Sequence, residues 1–157
     1  MTSELNRREF RMPLFIPLVV CLALAGCSTY RPPTAPLAVQ KFDAVKEVKY
    51  PWGWIRWLMN AELDPAATQT FGIVQIEAGQ RNPFHKHPNC EELIYVVSGS
   101  VEQIVAGQRV MMHEGGILRI PADIPHQAIN HTQEPVRTVV VYNTGARQMV
   151  TLDTPAE

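Results

Sequence analysis

The chain has 157 residues, 18% of them charged, and a formal net charge of −1. That length leaves room for one domain of ordinary size and no second core. The near-neutral balance excludes the basic footprint of a nucleic-acid-binding protein, and a lone cysteine in the globular part, Cys90, excludes a disulfide within it.

Residues 1–26 are laid out as a cleaved export signal: Arg7, Arg8 and Arg11, then an apolar run from about Leu14 to Ala25. The run is broken by Pro17, just after Pro13, and falls short of the roughly 20 apolar residues that a spanning helix needs. Its end, Leu24-Ala25-Gly26-Cys27, resembles the bacterial lipobox. The resemblance implies lipidation of the Cys27 thiol and a membrane partner through that lipid. Ser28, standing where Asp would retain a lipoprotein at the inner membrane, implies the periplasmic face of the outer membrane. The segment Asn6-Arg7-Arg8-Glu9-Phe10-Arg11 also resembles a twin-arginine export motif with Asn at its first position; an ordinary basic region is the alternative. Residues 27–45 hold Pro32, Pro33 and Pro36 with little apolar periodicity and read as a tether. Such a segment extends at about 3.1 Å per residue.

Residues 46–150 then read as the folded domain, with 151–157 as a tail. Short apolar or alternating runs at Trp54–Leu58, Thr70–Glu77, Leu93–Val97, Val101–Val105, Ile117–Ile120, Gln127–Asn130 and Arg137–Tyr142 are broken by Gly, Pro and Asn about every ten residues. That spacing predicts an all-β sandwich or barrel, and closing the sheet removes its exposed edges. The unbroken Val139-Val140-Val141 predicts a strand covered on both sides. In Tyr50–Trp57, the most aromatic stretch, Trp54, Arg56 and Leu58 share one face and Ile55, Trp57 and Met59 the other. One face packs the barrel; the other serves a lid or a homodimer contact, although core packing accounts for the aromatics equally well.

Two blocks carry the chemistry. The first runs Gly79, five residues, His85-Lys86-His87, four residues, Glu92, six residues, Gly99. The second runs Gly115, five residues, Pro121-Ala122-Asp123, two residues, His126, three residues, Asn130. His85 and His87, two apart, point the same way on a strand. Glu92 and His126 join them if the chain turns back at the intervening turn residues. Three imidazoles and a carboxylate in an apolar barrel suit one divalent transition metal, Fe, Mn, Ni, Cu or Zn. Buried histidine and carboxylate seldom cluster without a metal or a catalytic task.

Spaced this way, the blocks resemble both motifs of the cupin superfamily over about Phe71–Tyr142. The resemblance implies a single cupin β-barrel, a jelly roll, with His85, His87, Glu92 and His126 as metal ligands. Asp123 departs from the Gly usual in the family, but Asp tolerates a left-handed backbone and the turn is expected to survive. Four ligands on an octahedral metal leave two adjacent positions open, which favours Fe or Mn and a dioxygenase-like oxidoreductase acting on a small molecule in the cell envelope. A non-catalytic binding or sensing module is the alternative reading.

Around these ligands, Glu91 faces solvent by strand alternation, and Cys90 is either a thiol beside the metal site or a small packed hydrophobe. His113 and His131 are expected to be exposed. Arg56, Arg81 and Arg119 are the candidates for holding an anionic substrate. A decarboxylase needs a further carboxylate over the metal, and Glu77, Glu91, Glu102 and Glu114 are not separable for that task.

Overall fold

The computed structural model describes residues 39–153. The leader, Cys27 and most of the tether lie outside them. Among the described residues no helix is long and apolar enough to cross a membrane.

Among the described residues a single 3-10 turn at Phe42–Ala44 precedes eleven strands: β1 Val48–Tyr50, β2 Gly53–Met59, β3 Thr70–Ile76, β4 His85–Lys86, β5 Glu92–Ser98, β6 Ser100–Val105, β7 Gln108–His113, β8 Ile117–Ile120, β9 His126–Ile129, β10 Val136–Tyr142 and β11 Val150–Thr151. They form two antiparallel sheets, ordered β1-β2-β3-β10-β5-β8 and β11-β4-β9-β6-β7. The two inner faces make a jelly-roll barrel, the all-β cupin fold expected from the sequence.

Alternation in the sequence becomes alternation in burial. On β3, Thr70, Gly72, Val74 and Ile76 face in, and on β10 Val136, Thr138, Val140 and Tyr142 do the same. With Ile94, Val96, Val101, Ile120 and Ala128 they fill the barrel. The Val139–Val141 run belongs to β10, which lies between β3 and β5. Its outer members Val139 and Val141 are half-buried and not covered, so continuity here marks a central strand with an apolar outer face.

Four strands lie outside the expected runs, for identifiable reasons. β7 buries only Met112 and shows no alternation, because it is the edge of its sheet. What defines it is its turn: Ala106 and Gly107, both at positive φ (49° and 80°), link Val105 directly to Gln108, the two-residue hairpin geometry. β1 is wholly exposed and carries no burial pattern. β4 and β11 are two residues each, too short for any period to register.

The domain also reaches past both expected boundaries. The Phe42 ring lies 6.2 Å from that of Trp54, and Arg56 Nη1 donates to the Phe42 carbonyl at 3.1 Å, so the end of the expected tether packs on β2. At the other end, Thr151 pairs with His85 in β11, and the Leu152 N–H donates to the Phe84 carbonyl. The first residue of the expected tail, Thr151, thus belongs to a sheet strand.

Candidate metal centre

Strand pairing brings the two sequence blocks together. His85 on β4 pairs with His126 on β9, and Glu92 opens β5 on the facing sheet. Between the blocks, Asp123 sits at φ 63° and keeps the left-handed turn. Its N–H donates to the His87 carbonyl at 2.8 Å, and its carboxylate holds Lys86 Nζ at 2.7 Å. The side chain that departs from the family's usual Gly therefore ties the approach to His126 onto the His85–His87 segment. Asn130 closes the second block from inside the fold: its amide donates to the carbonyls of Ile76, Glu77 and Glu134, while its Oδ1 accepts from Thr132.

The four expected ligands converge. His85, His87, Glu92 and His126 are all buried, and one potential ligand atom from each lies within 4.8 Å of the others. Each imidazole is oriented by a backbone carbonyl that its Nδ1–H reaches: His85 to Pro83 at 2.8 Å, His87 to Gln148 at 2.7 Å, His126 to Ile124 at 2.8 Å. The Arg147 guanidinium also approaches His87 Nδ1, at 3.4 Å. A nitrogen that donates cannot also accept there, and the shorter contact assigns the proton to the bond with Gln148. On the carboxylate, the buried Tyr142 hydroxyl donates to Glu92 Oε1 at 2.8 Å. These bonds leave the Nε2 lone pairs and Glu92 Oε2 turned toward one point.

That point shows what the residues fit. His87 Nε2, His126 Nε2 and Glu92 Oε2 are buried and have no hydrogen-bond partner, yet Glu92 Oε2 lies 3.0 Å from His126 Nε2 and 3.4 Å from His87 Nε2. Lone pairs so close repel unless a proton or a cation lies between them. Burial, reinforced by His126, pushes His85 down to about 4, so this imidazole is neutral, as a ligand must be. Burial pushes the Glu92 carboxyl up, but His126 and His87 outweigh it and hold it below the usual carboxylate range. Burial likewise lowers His126, and Glu92 more than reverses that. Burial and the Glu92 charge both raise Tyr142, which keeps its hydroxyl proton as the donor. With their Nε2 atoms free of protons, three imidazoles and one carboxylate are the donor set of a divalent transition metal.

A cavity of about 110 Å³ opens beside the cluster, lined by His85, His126 and Glu92, by apolar Trp52, Ile55, Trp57, Val74, Ile94 and Val140, and by polar Asn82, Gln103, Thr138 and Arg147. A water-sized probe needs about 10–15 Å³, so the cavity admits a ligand of several heavy atoms. Glu92 is the only carboxylate on the lining among the described residues.

The arginines chosen from sequence are elsewhere. Arg56 lies on the outer face of β2, bonded to Phe42 and Glu47, and Arg119 is exposed and paired with Glu91. Arg81 is exposed as well. Among the described residues the cation on the cavity is Arg147, stacked over Trp57 at 4.8 Å and Tyr142 at 5.1 Å. It lies after the last long strand, where no pattern marks it. Tyr142 was legible only as the end of a strand, and its role depends on a register that one sequence does not display. Cys90 packs in the hydrophobic core and is absent from the cavity wall. His113 and His131 are surface residues, bonded to Ser100 and Glu102. The aromatic stretch is split: Trp52 and Trp57 line the cavity, while Trp54 lies against Phe42 and Arg137.

With this geometry established, the comparisons with known proteins agree. Residues 72–142 match the family model Cupin_2, "Cupin domain". The chain is 31% identical over 87 residues to polyketide synthase CurC of Streptomyces cyaneus, covering 55% of this chain and 56% of CurC. It superimposes on the oxalate decarboxylase of Lactobacillus farciminis in its formate complex with a TM-score of 0.65 at 24% identity, covering 70% of this chain and 34% of the decarboxylase. A structure of Bacillus subtilis oxalate decarboxylase studied for its Mn(II) centres gives 0.62 at 20% identity, covering 68% and 30%. The chain thus spans little more than half of CurC and about a third of each decarboxylase, and at these identities the likeness to the decarboxylases is one of fold.

Tyr142→Phe keeps the ring and removes the donor to Glu92. It is expected to weaken metal binding by roughly 10- to 100-fold, measured by chelator competition, whereas His126→Ala should abolish binding; unchanged affinity in Tyr142→Phe would show that Glu92 needs no such anchor. The match of residues 72–142 to the cupin domain model, the two-sheet topology and the converging three-histidine, one-glutamate cluster together give this chain a cupin fold.

Proposed function

We propose that this domain is a metal-dependent oxidoreductase of the dioxygenase type, acting on a small molecule in the cell envelope. One observation carries the reading: the ligand cluster opens onto a mostly apolar cavity on which, among the described residues, Glu92 is the only carboxylate. Glu77, Glu91, Glu102 and Glu114 are all absent from that lining, so the further carboxylate that a decarboxylase calls for has no candidate. His85, His87, Glu92 and His126 would hold iron or manganese, and such a metal supplies the redox capacity for reaction with O₂. The chain's own residues do the rest. The apolar walls exclude water, Tyr142 holds the Glu92 carboxylate in place, and the carbonyls of Pro83, Gln148 and Ile124 keep each ring's proton on Nδ1. Kinship with CurC, named a polyketide synthase, suits a ligand that is apolar and bears ketone or hydroxyl oxygens.

Metal analysis of protein purified from its own envelope should find iron or manganese. Oxygen-electrode assays over small ketones and phenols should then show metal-dependent O₂ uptake that falls to background in His87→Ala. The same lack of acid and base groups suits a second reading, a binding module that holds its ligand without turnover. Ligand recovered intact, with no O₂ consumed by metal-loaded protein, would decide for that module.

The envelope location is supported by the basic and apolar leader and by Leu24-Ala25-Gly26-Cys27. Cys27→Ala is expected to move the protein from the membrane fraction to the soluble periplasm; continued membrane association would sink the lipid anchor.

A homodimer through the outer face of the larger sheet also belongs to this reading. Ile73, Val139, Tyr95 and Ile117 form one row across β3, β10, β5 and β8, with Tyr95 42% and Ile117 67% exposed. A contiguous apolar patch of this kind marks an association surface, and a second copy brings a matching row. Sedimentation should show a dimer that Ile117→Lys dissociates, and a monomeric wild type would exclude it.

A further inference from the structure

We infer that the cavity is shaped for a small, largely apolar monoanion with a hydroxyl group at its far end, Arg147 facing the negative charge and the Gln103 carboxamide the hydroxyl. The inference rests on the proposed function in placing the ligand in this cavity beside a bound metal.

Gln103 is the unexplained group. It is 1% exposed, lines the cavity, and has an Oε1 with no hydrogen-bond partner. Leaving a buried amide oxygen unpaired costs stability that a leucine at this position would not. The other buried amides are used. Asn130 serves three carbonyls, and Gln127 Nε2 donates to the Asn82 carbonyl at 2.7 Å. On the sheet ladder Gln103 pairs with Ala128, two residues along β9 from His126, which places it roughly 7 Å along the strand from the histidine row. A hydroxyl is the partner that suits it, since a hydroxyl both donates and accepts and so satisfies either atom of the carboxamide.

Arg147 supplies the other end. Arg56, Arg109 and Arg119 are each paired with carboxylates, whereas the contacts of Arg147 are the faces of Trp57 and Tyr142 and the edge of His87. Its charge therefore stands at the metal end, over side chains of the larger sheet, while Gln103 belongs to the smaller sheet opposite. Two facing sheets are about 10 Å apart, so the ligand spans the barrel with its apolar body against Ile55, Val74 and Ile94.

The test uses Co(II)-loaded protein, with its visible spectrum and calorimetric titration as readouts, and three probes: 4-hydroxybenzoate, 4-methylbenzoate and 4-hydroxybenzyl alcohol. Wild type should bind the hydroxy acid at least about tenfold more tightly than the methyl acid. Gln103→Leu should erase that preference, and Gln103→Met should do the same if the leucine variant does not fold. Arg147→Met should weaken both acids about tenfold and leave the alcohol unaffected. Equal affinity for the two acids in wild type, a preference that survives Gln103→Leu, or a cobalt spectrum that neither acid perturbs would each overturn the inference while leaving the metal site standing. Failure of Co(II) to bind at all would overturn the metal reading and this inference with it.

Discussion

Three backbone carbonyls decide what this barrel can hold. Imidazole has two nitrogens, and a ring left to itself carries its proton on either one. Because Pro83, Gln148 and Ile124 each accept from an Nδ1–H, the opposite lone pairs of His85, His87 and His126 are all turned inward. Tyr142 does the equivalent for the carboxylate by occupying one oxygen of Glu92. These four bonds convert a set of buried polar groups, costly in themselves, into a directed donor set. The second layer of contacts is as much a part of a metal site as the ligands themselves.

The barrel exists to keep those bonds in register. Two of the carbonyls lie two residues before the histidine they orient, so local strand geometry suffices for His85 and His126. His87 takes its acceptor from a segment 61 residues away, and Glu92 takes its donor from 50 residues away. The Glu92 contact rests on the pairing of β10 with β5, in which Tyr142 stands opposite Glu92, and the His87 contact on the segment after β10, where the Gln148 N–H donates to Asn89 Oδ1.

Much of this was legible in the sequence, and the boundary between legible and hidden has a physical cause. Strand alternation reveals an element when one face is buried, so β3, β5, β6 and β10 were visible and the exposed β1 and the edge strand β7 were not. The ligands were legible because spacing along a strand translates directly into direction, as with His85 and His87. Arg56 and Arg119 do not line the cavity, because a side chain's neighbours across a sheet follow from register. Arg56 turns to Phe42 and Glu47, Arg119 to Glu91, and Arg147, which carries no periodic signal, takes the cavity. Asp123 shows the converse: its tolerance of φ 63° followed from residue type alone, while its grip on Lys86 required the fold.

The shortest strand has an effect out of proportion to its size. β11 is two residues long, yet it docks on β4, and the segment leading into it carries the carbonyl that polarises His87. Peeling this segment back would take the Gln148 carbonyl away from His87 and leave that imidazole free to change tautomer. A metal held through His87 would thereby depend on a strand whose own residues, Val150 and Thr151, are exposed.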